Sequence, residues 1–157
     1  MGRQAGNDLR RSHVIAVDTN ILVHSHRQDS PFHTGASRAL VGLAEGTAVW
    51  GLPWPCVHEF LGVVTRASLW KRPSSVDQAL AQVRAWLGSP TVRPLAETDR
   101  HLDLLADLMV AGHITGAKVH DARVAALCIG HGVRELWTAD RDFSRFPQLR
   151  THNPLIV

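Results

Sequence analysis

Short apolar, often β-branched segments alternate with longer helical segments, and this alternation most constrains how the chain can fold. Strand-like runs occur at residues 14–17, 47–52, 91–95, 135–138 and 149–153. Apolar residues at helical spacing dominate the segments between them. Strands separated by helices form β–α–β units with right-handed crossovers around a parallel sheet. We therefore expect an α/β fold, a three-layer α/β/α sandwich with a central, mainly parallel sheet.

Five longer helices are expected between these strands, and several carry start or stop signals. The third begins with Ser75 and Gln78, which match a capping box. Thr98 is suited to cap the fourth. The fifth is apolar around most of its circumference, which predicts burial on several sides. Their ranges are 33–46, 57–70 (after Pro53 and Pro55), 76–88, 99–112 and 119–132.

The length of 157 residues predicts a single domain. We expect residues 1–12 to be a loose basic tail and residues 13–157 to form the domain. Cys56 and Cys128 form no CxxC pair, which argues against a zinc ribbon or a disulfide scaffold and suits a reducing cytoplasm. No apolar run approaches a membrane span. The net charge of +3 is compatible with a polyanionic partner and equally with an ordinary protein surface.

Acidic residues stand where the expected strands end or helices begin. Asp18 directly follows the first strand, and Glu59 lies near the start of the helix after the second. Asp121 begins the buried helix, and Asp140 follows the fourth strand, with Asp142 two residues on. Taken singly, each could be a helix cap, a first-turn acid or an Asx-turn. Because the carboxyl ends of parallel strands meet at one edge of a sheet, we expect these acids to converge there.

Such a cluster of carboxylates needs a cation. Like charges repel one another, and at a poorly solvated edge at least one pKa should rise. A divalent ion removes this repulsion, and ligation by oxygen alone favours Mg²⁺ or Mn²⁺ over zinc. Zinc is further disfavoured because the ten histidines form no HExxH pattern. A carboxylate-held metal suits the hydrolysis of phosphate esters by an activated water.

Four stretches of the chain resemble a known family. VDTNIL (17–22), HEF (58–60), HDARVAAL (120–127) and TADRDF (138–143) resemble, in order and spacing, the four motifs of the PIN-domain nucleases. The third and fourth stretches are especially similar to those of VapC-type toxins from bacterial toxin–antitoxin pairs. The resemblance extends from Val14 to Val157. Any single motif is weak evidence, but the ordered set is specific.

The resemblance implies a PIN-fold endoribonuclease toxin that uses Mg²⁺, with Mn²⁺ as a substitute. Asp18 and Asp121 would be the principal ligands, and Glu59 and Asp140 would complete the pocket directly or through water. Asp142 would be a fifth acid, at a position that the family uses in more varied ways. Family members cut single-stranded or loop RNA, often tRNA or rRNA, and leave 5′-phosphate and 3′-hydroxyl ends. They usually form homodimers, and a cognate VapB-type antitoxin silences them by occupying the active site with its C-terminal segment.

Other polar and aromatic residues are secondary candidates. By the same resemblance, Thr19, Asn20 and Thr138 would orient the carboxylates or their waters. Basic side chains near a metal pocket can contact RNA phosphates. The candidates are Arg66, Lys71, Arg72 and Lys118. An ordinary protein surface explains each of them equally well. Trp54 and Trp70 are candidates for an interface or a base-stacking platform, whereas Trp50, Trp86 and Trp137 are expected in the core.

Two other functions remain open at this stage. A HAD-like phosphatase would need a second acid two residues after the nucleophilic Asp, where this chain has Asn20. A non-catalytic, nucleic-acid-binding regulatory module would keep its affinity for nucleic acid after the acids and the metal are removed. It would cleave no RNA.

Overall fold

The computed structural model describes residues 14–156, so the basic tail expected over residues 1–12 lies outside the described residues. That the chain divides into a tail and one domain stays a prediction. The described residues contain one five-stranded sheet in which every pairing is parallel. Its spatial order is β3-β2-β1-β4-β5. The strands are β1 (Ile15–Val17), β2 (Trp50–Pro53), β3 (Val92–Leu95), β4 (Glu135–Trp137) and β5 (Arg150–His152).

Six α-helices cover the two faces of this sheet. The connections from β1 to β2 to β3 move in one direction, and the connection from β3 to β4 returns past β1. Right-handed crossovers then place α1–α4 on one face and α5 and α6 on the other. The three-layer sandwich is thereby confirmed. The helices are α1 (Thr19–His26), α2 (His33–Ala44), α3 (Trp54–Val64), α4 (Val76–Leu87), α5 (His101–Gly112) and α6 (Val119–Gly130), with 3₁₀ turns at Gly116–Lys118 and Arg141–Arg145.

The reversal of direction at β1 positions the site. The strands β2 and β4 lie on either side of β1. The chain runs from β2 to β3 at one edge of the sheet and from β4 to β5 at the other. In open parallel sheets, a crevice forms beyond the carboxyl ends of the strands at such a point. The residue that leaves the carboxyl end of β1 is Asp18.

The core lies between the central strands and the helices on either side. Ala16, Val17 and Leu52 are fully buried. The helix α6 buries Ala122 and the run 124–128, which confirms the expectation that it is covered on several sides. Among residues 14–156, every helix falls short of the length and apolar character that a bilayer crossing requires.

The helix expected over 57–70 differs from the structure, because α3 begins at Trp54 and already ends at Val64. Three donors beyond the helix satisfy carbonyl oxygens of its last turn, which would otherwise be unpaired. The Thr65 hydroxyl donates to Leu61 O at 2.7 Å, and the Trp70 indole N–H donates to Val63 O at 2.8 Å. The Ser74 amide donates to Val64 O at 2.9 Å. Residues 65–75 therefore form a loop folded back onto the end of α3.

Two smaller expectations can be compared directly. The capping box of Ser75 and Gln78 is confirmed, with both reciprocal hydrogen bonds present. The expectation that the Thr98 side chain caps the next helix is wrong. The N-cap of α5 is Arg100 and makes no side-chain capping bond, while the Thr98 main-chain carbonyl accepts from the His101 amide at 3.0 Å. A main-chain turn thus starts that helix.

Candidate active site

Asp18 joins the end of β1 to the start of α1. Its own amide donates to Trp137 O at 3.0 Å, which continues the β1–β4 pairing one residue further. Its carboxylate Oδ1 accepts from the Thr19 amide at 2.8 Å, so Asp18 is also the N-cap of α1. The helix cap and the candidate metal ligand are therefore the same residue. The hydrogen bond from the Thr19 amide fixes the position of the carboxylate.

The Asp18 carboxylate is buried, with the residue only 7% exposed. Burial raises its pKa, and hydrogen bonds from Thr138, Thr19 and Cys56 lower it in part, while the charge of Glu59 raises it further. Thr138 Oγ1 donates to Asp18 Oδ2 at 2.8 Å, and Cys56 Sγ lies 3.5 Å from Oδ1. These donors stabilise and orient the carboxylate, but none of them supplies a positive charge.

The four acids singled out in the sequence surround one cavity of about 260 Å³. Glu59 reaches it from α3, and its Oε2 accepts from Thr19 Oγ1 at 3.3 Å. Asp121 comes from the first turn of α6, and Asp140 comes from the loop after β4. The remaining lining residues are Thr19, Asn20, Val23, His24 and Val63. The structure thus brings together the four acids that sequence reasoning expected to converge.

Asp121 lies in the most negative part of the site. It shares a tight group with Asp140 and Asp142, in which one carboxylate oxygen from each lies within 4.8 Å of the others. Burial raises the pKa of Asp121, as do the charges of Asp140, Asp18 and Asp142, against a smaller lowering by Lys118. Mutual repulsion of this kind is what a bound cation relieves.

Asp142 differs from the other four acids. It makes an ion pair with Lys118, and this contact lowers the pKa of its carboxyl group. It does not line the cavity. Its amide donates to Asp140 Oδ1 at 2.8 Å, so the Asx-turn considered from the sequence is present at Asp140. Asp142 therefore shapes the loop that presents Asp140.

Asn20 and Thr138 connect the ends of β1 and β4. Asn20 Nδ2 donates to Thr138 Oγ1 at 3.1 Å and to Asp18 Oδ2 at 3.3 Å. Asn20 Oδ1 accepts from the Ala139 amide at 3.0 Å. Thr138 Oγ1 also accepts from the Asp140 amide at 3.0 Å. The network holds the Asp18 carboxylate and the Asp140 backbone in a fixed relation.

The chemistry of the cavity fits a hard divalent cation. Within residues 14–156, none of the four lining acids has a Lys, Arg or His nitrogen within salt-bridge distance. Apart from the His24 ring, the polar side chains that line the cavity are carboxylates, a hydroxyl and an amide, whose oxygens are the ligand type of Mg²⁺ and Mn²⁺. Four carboxylates around one cavity, with only the more distant Lys118 acting on Asp121, leave an excess of negative charge among the described residues.

The basic and aromatic candidates occupy other positions. Arg66, Lys71 and Arg72 are exposed on the 65–75 loop and do not line the cavity. The ring of Trp70 lies under the Arg27 guanidinium, 4.2 Å from the centroid. Trp54 is half-buried and packs against the core. These positions leave RNA contact by the loop a prediction.

Sequence reasoning missed Val23, His24 and Val63 as lining residues, as well as the contact from Cys56. Helical spacing could have found three of them. Val23 and His24 lie four residues after Thr19 and Asn20, and Val63 lies four residues after Glu59, so each shares a face with a predicted site residue. Burial lowers the pKa of His24. The approach of Cys56 to Asp18 joins residues 38 positions apart, and no local pattern indicates it.

Known proteins resemble this chain in sequence. A family model described as PIN domain matches residues 15–149. Ribonuclease VapC37 of Mycobacterium tuberculosis is 31% identical over 138 residues, which cover 88% of this chain and 95% of the relative. Ribonuclease VapC43 of the same species is 32% identical over 142 residues, covering 90% and 96%.

Solved structures show the same fold. VapBC2 from Rickettsia felis, crystallised with a DNA fragment from its promoter, aligns with a TM-score of 0.61 at 20% identity, covering 89% of this chain and 98% of that one. VapC20 of M. tuberculosis, described as a sarcin–ricin loop cleaving toxin, aligns with a TM-score of 0.61 at 21% identity, covering 83% and 92%.

Proposed function

The chain belongs to the PIN-domain family, among the VapC ribonucleases, and from this premise we propose that it is an endoribonuclease toxin that hydrolyses RNA with Mg²⁺ held in the acidic cavity. The observation that carries the proposal is the convergence of Asp18, Glu59, Asp121 and Asp140 on one cavity, with no Lys, Arg or His nitrogen of residues 14–156 within salt-bridge distance of them. Mn²⁺ has the same ligand preference and would substitute.

Asp18 and Asp121 would hold the ion most directly, with Glu59 and Asp140 completing the pocket directly or through water. Asp142 would contribute indirectly, because its amide fixes Asp140 while its carboxylate pairs with Lys118. When bound, Mg²⁺ would supply positive charge against the phosphate oxygens and a water of lowered pKa.

The protein groups would orient this chemistry. Thr138 and Asn20 hold Asp18 Oδ2, so this carboxylate needs little reorganisation to bind a cation. Thr19 holds Glu59 Oε2, which leaves Oε1 available to accept a hydrogen bond from the attacking water. The water oxygen would form a bond to phosphorus and pass a proton to Glu59 Oε1. The bond from phosphorus to the 3′-oxygen would break, and that oxygen would take a proton from solvent and leave as a hydroxyl. The products are 5′-phosphate and 3′-hydroxyl ends.

The RNA would approach over the 65–75 loop. This loop follows α3 directly, and α3 supplies Glu59 and Val63 to the cavity. Arg66, Lys71 and Arg72 are exposed there and would contact backbone phosphates. Lys118 is less suited to this role because it is engaged with Asp142. Loops of tRNA or rRNA would be the substrates, since unpaired strands can reach a narrow pocket.

We propose a VapB-type antitoxin as the protein partner, whose C-terminal segment would occupy the acidic cavity. The VapBC2 structure, one chain of which has the same fold as this protein, supports this pairing. A homodimer and a cytoplasmic location complete the proposal, and the buried, unpaired thiols of Cys56 and Cys128 suit a reducing compartment.

Purified protein provides the test of the proposed activity. End-labelled RNA would be incubated with Mg²⁺ or with EDTA and the wild-type, Asp18→Asn or Asp107→Asn chain. Asp107 lies on α5, does not line the cavity, and gives a control with the same change of charge. We expect cleavage by the wild type and by Asp107→Asn with Mg²⁺, and none with EDTA or with Asp18→Asn.

Other outcomes would assign the alternatives. RNA binding without cleavage by the wild type would indicate a regulatory module. Hydrolysis of a small phosphomonoester without RNA cleavage would indicate a phosphatase. The phosphatase is disfavoured because Asn20, where that chemistry needs an acid, is engaged with Asp18, Thr138 and the Ala139 amide.

A further inference from the structure

Phe32 exposes an aromatic ring that the fold does not use in its core. The chain has four phenylalanines and five tryptophans, all within the described range. Phe60, Phe143 and Phe146 are buried, and the tryptophans are buried or half-buried. Phe32 remains 48% exposed. Among the Phe and Trp side chains of residues 14–156, Phe32 alone is exposed, while the others are buried or half-buried.

The segment that carries Phe32 is held by hydrogen bonds and is not a free loop tip. The Phe32 amide donates to Ser30 Oγ at 3.1 Å. The same Ser30 oxygen lies 2.7 Å from His24 Nδ1. His33 Nδ1 lies 3.2 Å from His24 O. Ser30 and His33 thus attach the start of α2 to the end of α1, and the exposed ring has a fixed base.

The ring lies next to the acidic cavity. Its centroid is 5.1 Å from that of His24, in an edge-to-face arrangement with an interplanar angle of 66°. His24 is itself a lining residue of the cavity. Phe32 is therefore one ring removed from the space where the scissile phosphate would bind.

We propose that Phe32 is a stacking subsite for a nucleobase that flanks the scissile phosphate, an inference that rests on the proposed ribonuclease function. Unpaired bases stack on aromatic side chains in single-strand recognition, and every base has a face suited to it. The polar cavity holds the backbone, and the exposed ring beside it receives the adjoining base. Removal of one such platform lowers affinity by about 5- to 150-fold.

The test measures binding without cleavage. Fluorescein-labelled decaadenylate RNA would be titrated with the Asp18→Asn chain, and anisotropy would give Kd. In this background we expect Phe32→Ala to raise Kd at least fivefold, Phe32→Leu to do nearly the same, and Phe32→Trp to restore binding. Val41→Ala is the matched control, because Val41 is also 48% exposed, lies on α2 and does not line the acidic cavity. It should leave Kd within twofold.

A spectroscopic measurement distinguishes base stacking from nonspecific apolar contact. An oligonucleotide carrying 2-aminopurine should lose fluorescence when it binds the parent chain or Phe32→Trp, and keep its fluorescence when it binds Phe32→Leu. Equal Kd values for Phe32→Ala and its parent, unchanged quenching with Phe32→Leu, or no measurable RNA binding by the parent would each overturn the subsite. Weakened binding of the cognate antitoxin alone would assign the ring to a protein partner and overturn it too.

The two proposals fail separately. RNA cleavage that survives Asp18→Asn would overturn the assigned ligands, and the Phe32 comparison, repeated in EDTA to stop cleavage, would still report on stacking. Cleavage that depends on Asp18, combined with unchanged RNA affinity in Phe32→Ala, would leave the ribonuclease intact and remove only the subsite.

Discussion

Replacing Asp121 with Asn should stabilise the metal-free protein while abolishing its metal-dependent activity. The Asp121 carboxylate has a raised pKa because it is partly buried and faces Asp140, Asp18 and Asp142. No hydrogen bond from residues 14–156 is among the causes that act on it. Asp121→Asn therefore removes a repelling charge without removing a hydrogen-bond acceptor that the fold uses.

The size of this effect follows from the distances. Oxygens of Asp140 and Asp142 lie within 4.8 Å of an Asp121 oxygen, but Asp142 is already paired with Lys118. Of these two, only Asp140 remains as a close negative charge that no cation balances. Two unit charges at this separation repel by about 1 kcal/mol in a water-like dielectric, and the partial exposure of Asp121 makes that lower limit appropriate. For a chain of this length, about 1 kcal/mol corresponds to a rise of about 2–4 °C in Tm.

The sign of the pH dependence is determined by the raised pKa. The repulsion exists only when Asp121 is ionised, so the gain from Asp121→Asn is present at pH 7. It should vanish as the pH falls below the ordinary value of 3.8, where the wild-type carboxyl group is neutral in both the folded and unfolded states. Thermal unfolding in EDTA at a series of pH values measures this difference.

Adding Mg²⁺ should make the wild type more stable than Asp121→Asn. The wild type gains stability because the ion binds only the folded state, whereas Asp121→Asn gains little. The exposed acid variant Asp107→Asn should follow the wild type in both buffers. A fall in Tm for Asp121→Asn in EDTA at pH 7, or an equal response of both chains to Mg²⁺, would refute the reasoning.

Three further variants test the groups around the cavity and the loop. Thr138→Val removes the hydroxyl donor to Asp18, so Mn²⁺ affinity by calorimetry should fall about 10- to 100-fold, whereas unchanged affinity would contradict the orienting role. Lys118→Met frees the Asp142 carboxylate and should tighten Mn²⁺ binding in the same assay, and weaker binding would argue against it. Arg27→Met removes a buried guanidinium that donates a hydrogen bond to Ser74 and lies over Trp70. Urea unfolding should show that the free energy of unfolding falls by about 2–4 kcal/mol. A fall of less than about 0.5 kcal/mol would mean that the loop does not depend on Arg27.

The convergence of the acids could be predicted because it depends on topology and not on detail. Asp18 and Asp140 each follow a strand, and parallel strands end at one edge of the sheet whatever their order. Of the two interpretations of Asp18, the helix cap is present, and the role as a metal ligand, which the cap does not exclude, stays a prediction. The cap hydrogen bond from Thr19 is what sets the direction of the carboxylate.

Long-range contacts account for what could not be predicted. Residues after Val64 have a helix-compatible pattern, yet Trp70 and Ser74 fold back and end α3 early. The pairing of Lys118 with Asp142 crosses 24 positions, and it engages a side chain that was predicted to contact RNA. Local sequence patterns carry no information on such pairs, because their geometry exists only after the sheet has assembled.

Mapping RNA 5′ ends in cells tests most directly whether the four converging acids make this chain a metal-dependent ribonuclease. RNA would be sequenced after induction of the wild-type, Asp18→Asn or Asp107→Asn chain. We expect new 5′-phosphate ends at a small set of unpaired sites with the wild type and Asp107→Asn, and none with Asp18→Asn. The same ends appearing with Asp18→Asn, or no new ends with the wild type, would contradict the claim.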